Sequence, residues 1–150
     1  MKKSFRITVI MGIYNCADTL IEALESLEAQ TYKQFKVILC NDGSNDNTLE
    51  IAKAWANIHH NYIVIENPQN LGLNATLNHC LKYADTEFIA RMDGDDRSLP
   101  NRFEQEIEFL DSHPEYAIVS GPMHYFDEHG IFKKGTLIPQ HYYKIFFLST

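Results

Sequence analysis

Five short, almost continuously apolar runs recur at similar spacing: Ile7-Thr-Val-Ile-Met11, Phe35-Lys-Val-Ile-Leu-Cys40, Tyr62-Ile-Val-Ile65, Phe88-Ile-Ala-Arg-Met92 and Ala117-Ile-Val119. Continuous apolar runs suit strands buried on both faces, as in parallel sheets, rather than strands with one wet face. Helical periodicity fills each gap. Leu20, Ala23, Leu24 and Leu27 share a face behind a cap at Asn15, and Leu49, Ala52 and Trp55 follow a cap at Ser44. Leu73, Leu77, Cys80 and Leu81 follow Asn70. Phe103, Ile107 and Leu110 follow Ser98-Leu-Pro100, with the proline where a first helical turn tolerates it. The alternation predicts an α/β fold: a mostly parallel twisted sheet with right-handed crossovers and helices on both faces.

The two ends read differently. Lys2-Lys3 ahead of Ile7–Ile13 has the outline of a short signal peptide, but Arg6 interrupts its start and Tyr14-Asn15-Cys16 makes a poor cleavage site. The stretch is read as a buried strand. No segment reaches the length of a transmembrane helix. Near the other end, Met123–Phe126 and Ile131–Lys134 flank Asp127-Glu-His-Gly130, the pattern of a hairpin. The aromatic stretch His141–Leu148 then follows with little chain left to pack on it. The expectation is that the natural protein continues, or that this tail packs on a partner, a homodimer being one such arrangement.

Charge narrows the ligand classes. Thirteen Lys/Arg against twenty Asp/Glu leave a net charge of −7 over 150 residues. That argues against a nucleic-acid binder, which needs a basic face. It leaves room for a phosphate-bearing ligand if a bound cation inverts the local charge. Cys16, Cys40 and Cys80 are odd in number and lack a C-x-x-C spacing, so they read as reduced, mostly buried thiols.

Gly12, Gly43, Gly94 and Gly121 each fall at or just past a predicted strand end. In open α/β sheets that is the edge where ligands bind. The densest feature there is Asp93-Gly94-Asp95-Asp96. Neighbouring carboxylates repel, and a hard divalent cation such as Mg²⁺ or Mn²⁺ with oxygen ligands offsets that repulsion; a solvated acidic turn is the plainer alternative. A second cluster, Asn41-Asp42-Gly43-Ser44-Asn45-Asp46, follows the second run. Ser44 and Asp46 can serve the next helix as cap and dipole partner. Asp42 has no such local task and is free to accept hydrogen bonds from a base or sugar. Tyr14 can stack on a nucleobase or simply pack. Asn70-Leu-Gly72-Leu-Asn74 offers backbone N–H groups to an anion, or only a cap. P-loop, G-x-G-x-x-G, G-x-S-x-G and H-E-x-x-H motifs are absent, and the seven histidines form no spaced ligand set.

Four stretches in order resemble the nucleotide-sugar half of a family 2 glycosyltransferase with the GT-A fold, a Rossmann-like nucleotide-diphospho-sugar transferase. They are Ile7–Asn15, Asn41–Thr48, Asn70–Asn78 and Ile89–Arg102, within a match that runs to about Gly121. The resemblance implies residues 1–121 as the nucleotide-sugar-binding core, and 122–150 as a hairpin and the start of an acceptor-side region. It implies a nucleotide-sugar site of Gly12, Tyr14, Asp42, Asp93 and Gly94. Tyr14 would flank the base, Asp42 would bond its edge, and Asp93 would lie near the ribose and donor sugar. Asp95, with Asp96 alongside, would hold Mn²⁺ or Mg²⁺ within the Asp-x-Asp motif. The implied activity is hexosyl transfer, of inverting type, from a nucleotide-diphospho-sugar (UDP by prior) to a saccharide or lipid-linked acceptor in polysaccharide biosynthesis. The implied place is the cytosol, with peripheral association at the inner face of the membrane.

Gly12 stands where proline or a small polar residue is usual, and Leu77 where many members carry arginine. Arg91 and Arg97 are the candidates to replace that cation. The family places its acceptor base well downstream of the acidic motif, so none is named before Thr150, and the chain is expected to be a donor-binding fragment. Two other readings remain: a nucleotidyltransferase, which should carry a basic Gly-rich loop after the first strand, and a non-catalytic nucleotide- or protein-binding module.

Overall fold

The computed structural model describes residues 5–127 and 129–134. Two compact units divide after Glu104. The first holds β1 (Ile7–Ile13), α1 (Ala17–Glu28), β2 (Phe35–Asn41), α2 (Thr48–Ile58), β3 (Tyr62–Glu66), α3 (Leu73–Leu81), β4 (Phe88–Arg91) and the first turn of α4 (Arg102–Ser112). The four strands form one sheet in the order β3-β2-β1-β4, and every pairing is parallel. Moving from β1 to β2 to β3 carries the chain one way across the sheet, and the return to β4 carries it back. Right-handed crossovers therefore place α1 and α2 on one face and α3 on the other. The contacts agree: α1 touches α2, while α3 lies on β1 and β2.

Strand alternation sorts the core into two layers. Ile10 and Ile38 are register partners, and with Cys40 and Cys80 they form a buried cluster against which Ile65 and Leu77 pack. The opposite parity, Val9, Met11, Val37 and Leu39, is fully buried too. The α1 stripe read from the sequence, Leu20, Ala23, Leu24 and Leu27, is the buried face of that helix. Gln30 is a fully buried polar residue, and both polar atoms of its side chain are used. Its amide nitrogen donates to Ser98 Oγ and the Leu99 carbonyl, and its oxygen accepts the Phe103 N–H. Phe103 in turn sets its ring edge-on to Phe35, with centroids 5.4 Å apart. Among the described residues no helix is long and apolar enough to cross a membrane.

The second unit contains the rest of α4 and an antiparallel pair, β5 (His124–Asp127) and β6 (Gly130–Lys134), at the place the hairpin pattern marks. The aromatic stretch His141–Leu148 lies outside the described residues.

Several local expectations are corrected. Ala117–Val119 forms no strand: it has no ladder partner among the described residues, and Ile118 is 53% exposed. Gly121 therefore ends no strand. Gly12 lies inside β1, which runs on to Ile13. Pro100 sits in a turn ahead of α4. The helix caps shift as well: Cys16, Asn47 and Gly72 occupy the cap positions of α1, α2 and α3, and none makes a side-chain capping bond. Asn15, Ser44 and Asn70 make loop contacts instead.

Gly43 shows why the loop after β2 needs glycine. Its φ is +71°, and a Cβ there would stand 2.8 Å from the backbone N of Asn70. Gly72, at φ +84°, has open space around the same position. Gly43→Ala adds a backbone clash to the dihedral penalty and should destabilise by about 2–3 kcal/mol, against about 1 kcal/mol for Gly72→Ala. Equal midpoints in urea unfolding would contradict that ordering.

Candidate functional site

β1 lies between β2 and β4, so the loops that leave these three strands meet at the C-terminal edge of the sheet. They are tied together by hydrogen bonds. Asn15, at φ 47°, donates its N–H to Ser44 Oγ and accepts the Asn45 N–H on its side chain. Cys16 N–H reaches Thr48 Oγ1 at 2.8 Å. Asp46 serves both helix starts, accepting from Ala17 N–H at 3.1 Å and Thr48 N–H at 3.0 Å. The Thr48 hydroxyl, with these N–H groups, holds the Asp46 carboxyl below its ordinary value. Across the edge, Thr19 donates to the Gly94 carbonyl at 3.0 Å. A Cβ on Gly94 would lie 2.8 Å from Cys16 Sγ, so the acidic turn packs directly on the start of α1. Gly12 is crowded from the other face: a Cβ there would meet Leu73 at 3.1 Å and Thr76 at 3.2 Å. Cys16 is half-buried, Cys40 and Cys80 are buried, and all three are free thiols.

Asp42 has the local task that the sequence reading denied it. It is 4% exposed. Its Oδ1 accepts from Asn67 Nδ2 at 2.7 Å and from Leu71 N–H at 2.9 Å, and its Oδ2 accepts from Gly72 N–H at 2.9 Å. The anion for which the N–H groups before α3 are suited is thus the chain's own carboxylate. Burial alone would raise the Asp42 carboxyl; the bonds it accepts from Asn67, Leu71 and Gly72 outweigh it and hold the group below its ordinary value. A carboxylate has about four acceptor positions. Three are filled by these N–H groups, and the open one is on Oδ2.

The acidic turn is more exposed. Arg91, the last residue of β4, grips Asp93 through both carboxylate oxygens, at 3.0 and 2.7 Å from Nη2. Asp95 and Asp96 are exposed. Partial burial and the charges of Asp93 and Asp95 push the Asp96 carboxyl above its ordinary value, while Arg91 and Arg102 pull the other way. Among the described residues no three His, Cys, Asp or Glu side chains converge as a metal cage. What the turn offers is two exposed carboxylates, with a third already neutralised by arginine. That oxygen-only set fits a hard divalent cation which completes its shell with water and substrate phosphates. Tyr14, 45% exposed, stands at the same edge.

Neither flanking arginine is spare. Arg91 is paired as described, and Arg97 forms an ion pair with Glu22 of α1. Leu77, in the position expected for arginine, packs against the Ile10–Cys80 cluster. The sequence reading missed Asn67 and His79, which stand directly behind Asp42. An Asn beside Pro68 reads as an ordinary turn, and only the fold brings it 25 residues back to Asp42. Next to them lies a shallow depression of about 510 Å³ lined by residues that include Asn67, Leu71, His79 and Lys82, on the α3 side and away from the acidic turn.

With this geometry in place, comparison with known proteins decides the family. The family described as Glycosyl transferase family 2 matches residues 8–149. The chain belongs to that family. EpsE of Bacillus subtilis (strain 168) is 47% identical over 132 residues, covering 87% of this chain and 48% of EpsE. The UDP-Glc:alpha-D-GlcNAc-diphosphoundecaprenol beta-1,3-glucosyltransferase WfaP of Escherichia coli is 32% identical over 106 residues, 71% of this chain and 41% of WfaP. Among solved structures, S. aureus TarS 1-349 in complex with UDP-GlcNAc superposes with a TM-score of 0.69 at 29% identity, over 73% of this chain and 32% of TarS 1-349. The mannosyltransferase PcManGT from Pyrobaculum calidifontis, in complex with GDP-Man and Mn²⁺, gives 0.66 at 25%, over 70% of this chain and 32% of that one. The fold is that of the GT-A glycosyltransferases. The chain spans less than half the length of each of these proteins. Family membership sets aside the nucleotidyltransferase reading.

Proposed function

We propose that residues 1–121 are the nucleotide-sugar-binding core of a metal-dependent, inverting hexosyltransferase that uses a UDP-sugar and a saccharide or lipid-linked acceptor. The observation that carries the reading is one sheet edge holding both a carboxylate with an open acceptor position, Asp42, and an exposed acidic turn. In this arrangement Tyr14 covers one face of the base, and Asp42 presents its open Oδ2 position to the ring N–H of the base edge. Gly12 and Gly94 keep the floor of the crevice low. Asp93, steadied by Arg91, lies toward the ribose and donor sugar. Asp95, with Asp96, would hold Mn²⁺ or Mg²⁺; bound there, the cation supplies Lewis-acid stabilisation of the departing diphosphate. The chain's own residues orient the donor and hold the carboxylates where the leaving charge develops. No residue of the chain is assigned as the acceptor base.

The relatives give the reading its chemistry. TarS is seen with UDP-GlcNAc, PcManGT with GDP-Man and Mn²⁺, and the name of WfaP joins a UDP-sugar to a diphosphoundecaprenol acceptor. The direct test is thermal stabilisation by UDP and by GDP, each with and without Mn²⁺. Saturating ligand at about 100 times its Kd adds about 2.7 kcal/mol to the apparent stability, which is several degrees for a chain of this size. UDP with Mn²⁺ is expected to give that shift, and UDP without metal much less. A flat response to both nucleotides with metal present removes the donor-site reading.

A further inference from the structure

We propose that Asn67 and His79 are positioning residues for the nucleobase, acting through Asp42; the proposal rests on Asp42 being the residue that reads the base. The three side chains form a hydrogen-bonded relay whose polarity is fixed by chemistry. Asp42 Oδ1 can only accept, so the Asn67 atom 2.7 Å away must be the amide nitrogen. That nitrogen also reaches Thr76 Oγ1 at 2.9 Å. The Asn67 oxygen therefore points the other way, to His79 Nδ1 at 2.7 Å. A carboxamide oxygen cannot donate, so the hydrogen of this bond sits on His79 Nδ1. The single hydroxyl hydrogen of Thr76 points to the Gly72 carbonyl at 3.0 Å.

The relay decides which oxygen of Asp42 is available. With Asn67 and Leu71 both on Oδ1, that atom is full, and the open position is left on Oδ2 beside Gly72. Without the Asn67 amide, Oδ1 also has an open position, and the carboxylate loses one of the three bonds that set its rotation about the Cβ–Cγ axis. Without His79, the Asn67 amide loses the partner that keeps its nitrogen turned toward Asp42. Neither residue needs to touch the ligand to fix the direction from which a ring N–H is read.

The test compares UDP with N3-methyluridine diphosphate, in which a methyl group replaces the ring N–H, in the presence of Mn²⁺. Wild type is expected to prefer UDP about tenfold or more, the size of one hydrogen bond to a charged group. His79→Phe and Asn67→Ser should bring that preference down to about twofold or less, and His79→Gln, whose amide can donate at similar reach, should keep it. A purely structural role would lower the melting temperature and weaken both ligands alike, leaving the ratio unchanged, and that result overturns the proposal. The same holds if His79→Gln fails together with His79→Phe. If wild type shows no preference at all, Asp42 does not read the base, and the proposal falls with that reading. If Asp42→Asn abolishes the preference while the Asn67 and His79 variants keep it, only the positioning role is wrong.

Discussion

Asp42→Ala is expected to lower the unfolding free energy by about 3 kcal/mol or more. The variant removes the acceptor for Leu71 N–H, Gly72 N–H and Asn67 Nδ2, all at a position only 4% exposed. A buried donor left without a partner costs about 1–3 kcal/mol, so losses at these groups compound. Urea unfolding monitored at the single tryptophan, Trp55, would read it. Asp42→Asn separates the fold from the ligand. It keeps one acceptor oxygen for two of the donors, loses less stability, and under the proposed reading would still deprive the base of a carboxylate. An Asp42→Ala variant as stable as wild type would mean that the loop before α3 does not depend on this carboxylate.

The same bonds set a pH dependence. The folded-state carboxyl is held below its unfolded value, so its stabilisation is fully present above the unfolded pKa and is lost as pH falls through the folded one. Wild type should therefore lose stability below about pH 4 more steeply than Asp42→Asn, because the unfolded aspartate titrates near 3.9. Parallel stability-against-pH curves for the two proteins would show that the carboxylate contributes nothing to acid sensitivity.

The fold was legible because its signal is redundant. The central strands β1 and β2 announce themselves through continuous apolar runs and are buried. The edge strands β3 and β4 carry similar runs but leave residues such as Ile63 and Ile89 exposed. Each helix shows its own periodicity, so the parallel sheet does not hang on any single residue. The stretch that failed, Ala117–Val119, is the shortest run, and its strand character would have depended on a ladder partner that a local pattern cannot supply. Cap assignments failed for a related reason. Asn15 and Ser44 are good local caps, yet tertiary partners outcompete the helix ends: Ser44 Oγ takes the Asn15 N–H, and the Asn15 side chain takes the Asn45 N–H, while Asn70 turns its side chain to the nearby Gly72 N–H. The site shows the same division. Its acidic turn is readable because like charges cluster in sequence. The relay behind Asp42 is not, because Asn67 and His79 carry no meaning until the sheet brings them beside a carboxylate from another strand.

Asp95→Ala is expected to abolish metal-dependent nucleotide binding while the fold survives. The structural half follows from the surroundings. Asp95 is exposed, and its charge raises the Asp96 carboxyl rather than supporting a partner. Its removal relieves repulsion, so stability should stay within about 0.5 kcal/mol of wild type, the usual range for an exposed substitution. The functional half follows from the donor count. Asp93 is gripped by Arg91; under the proposed reading the two exposed carboxylates, Asp95 and Asp96, would hold the cation, and losing one would halve the protein's share of its ligands. UDP affinity measured with Mn²⁺ should fall on the order of 100-fold, as when one partner of a close charge pair is truncated, while the weak affinity without Mn²⁺ should not change. That contrast is diagnostic, because a general disturbance of the crevice would weaken both. Unchanged UDP binding in Mn²⁺ would take the metal away from Asp95. Unfolding of the variant would show that the turn is held by Asp95 itself, and not by the packing of Gly94 on Cys16 and the Thr19 bond to its carbonyl.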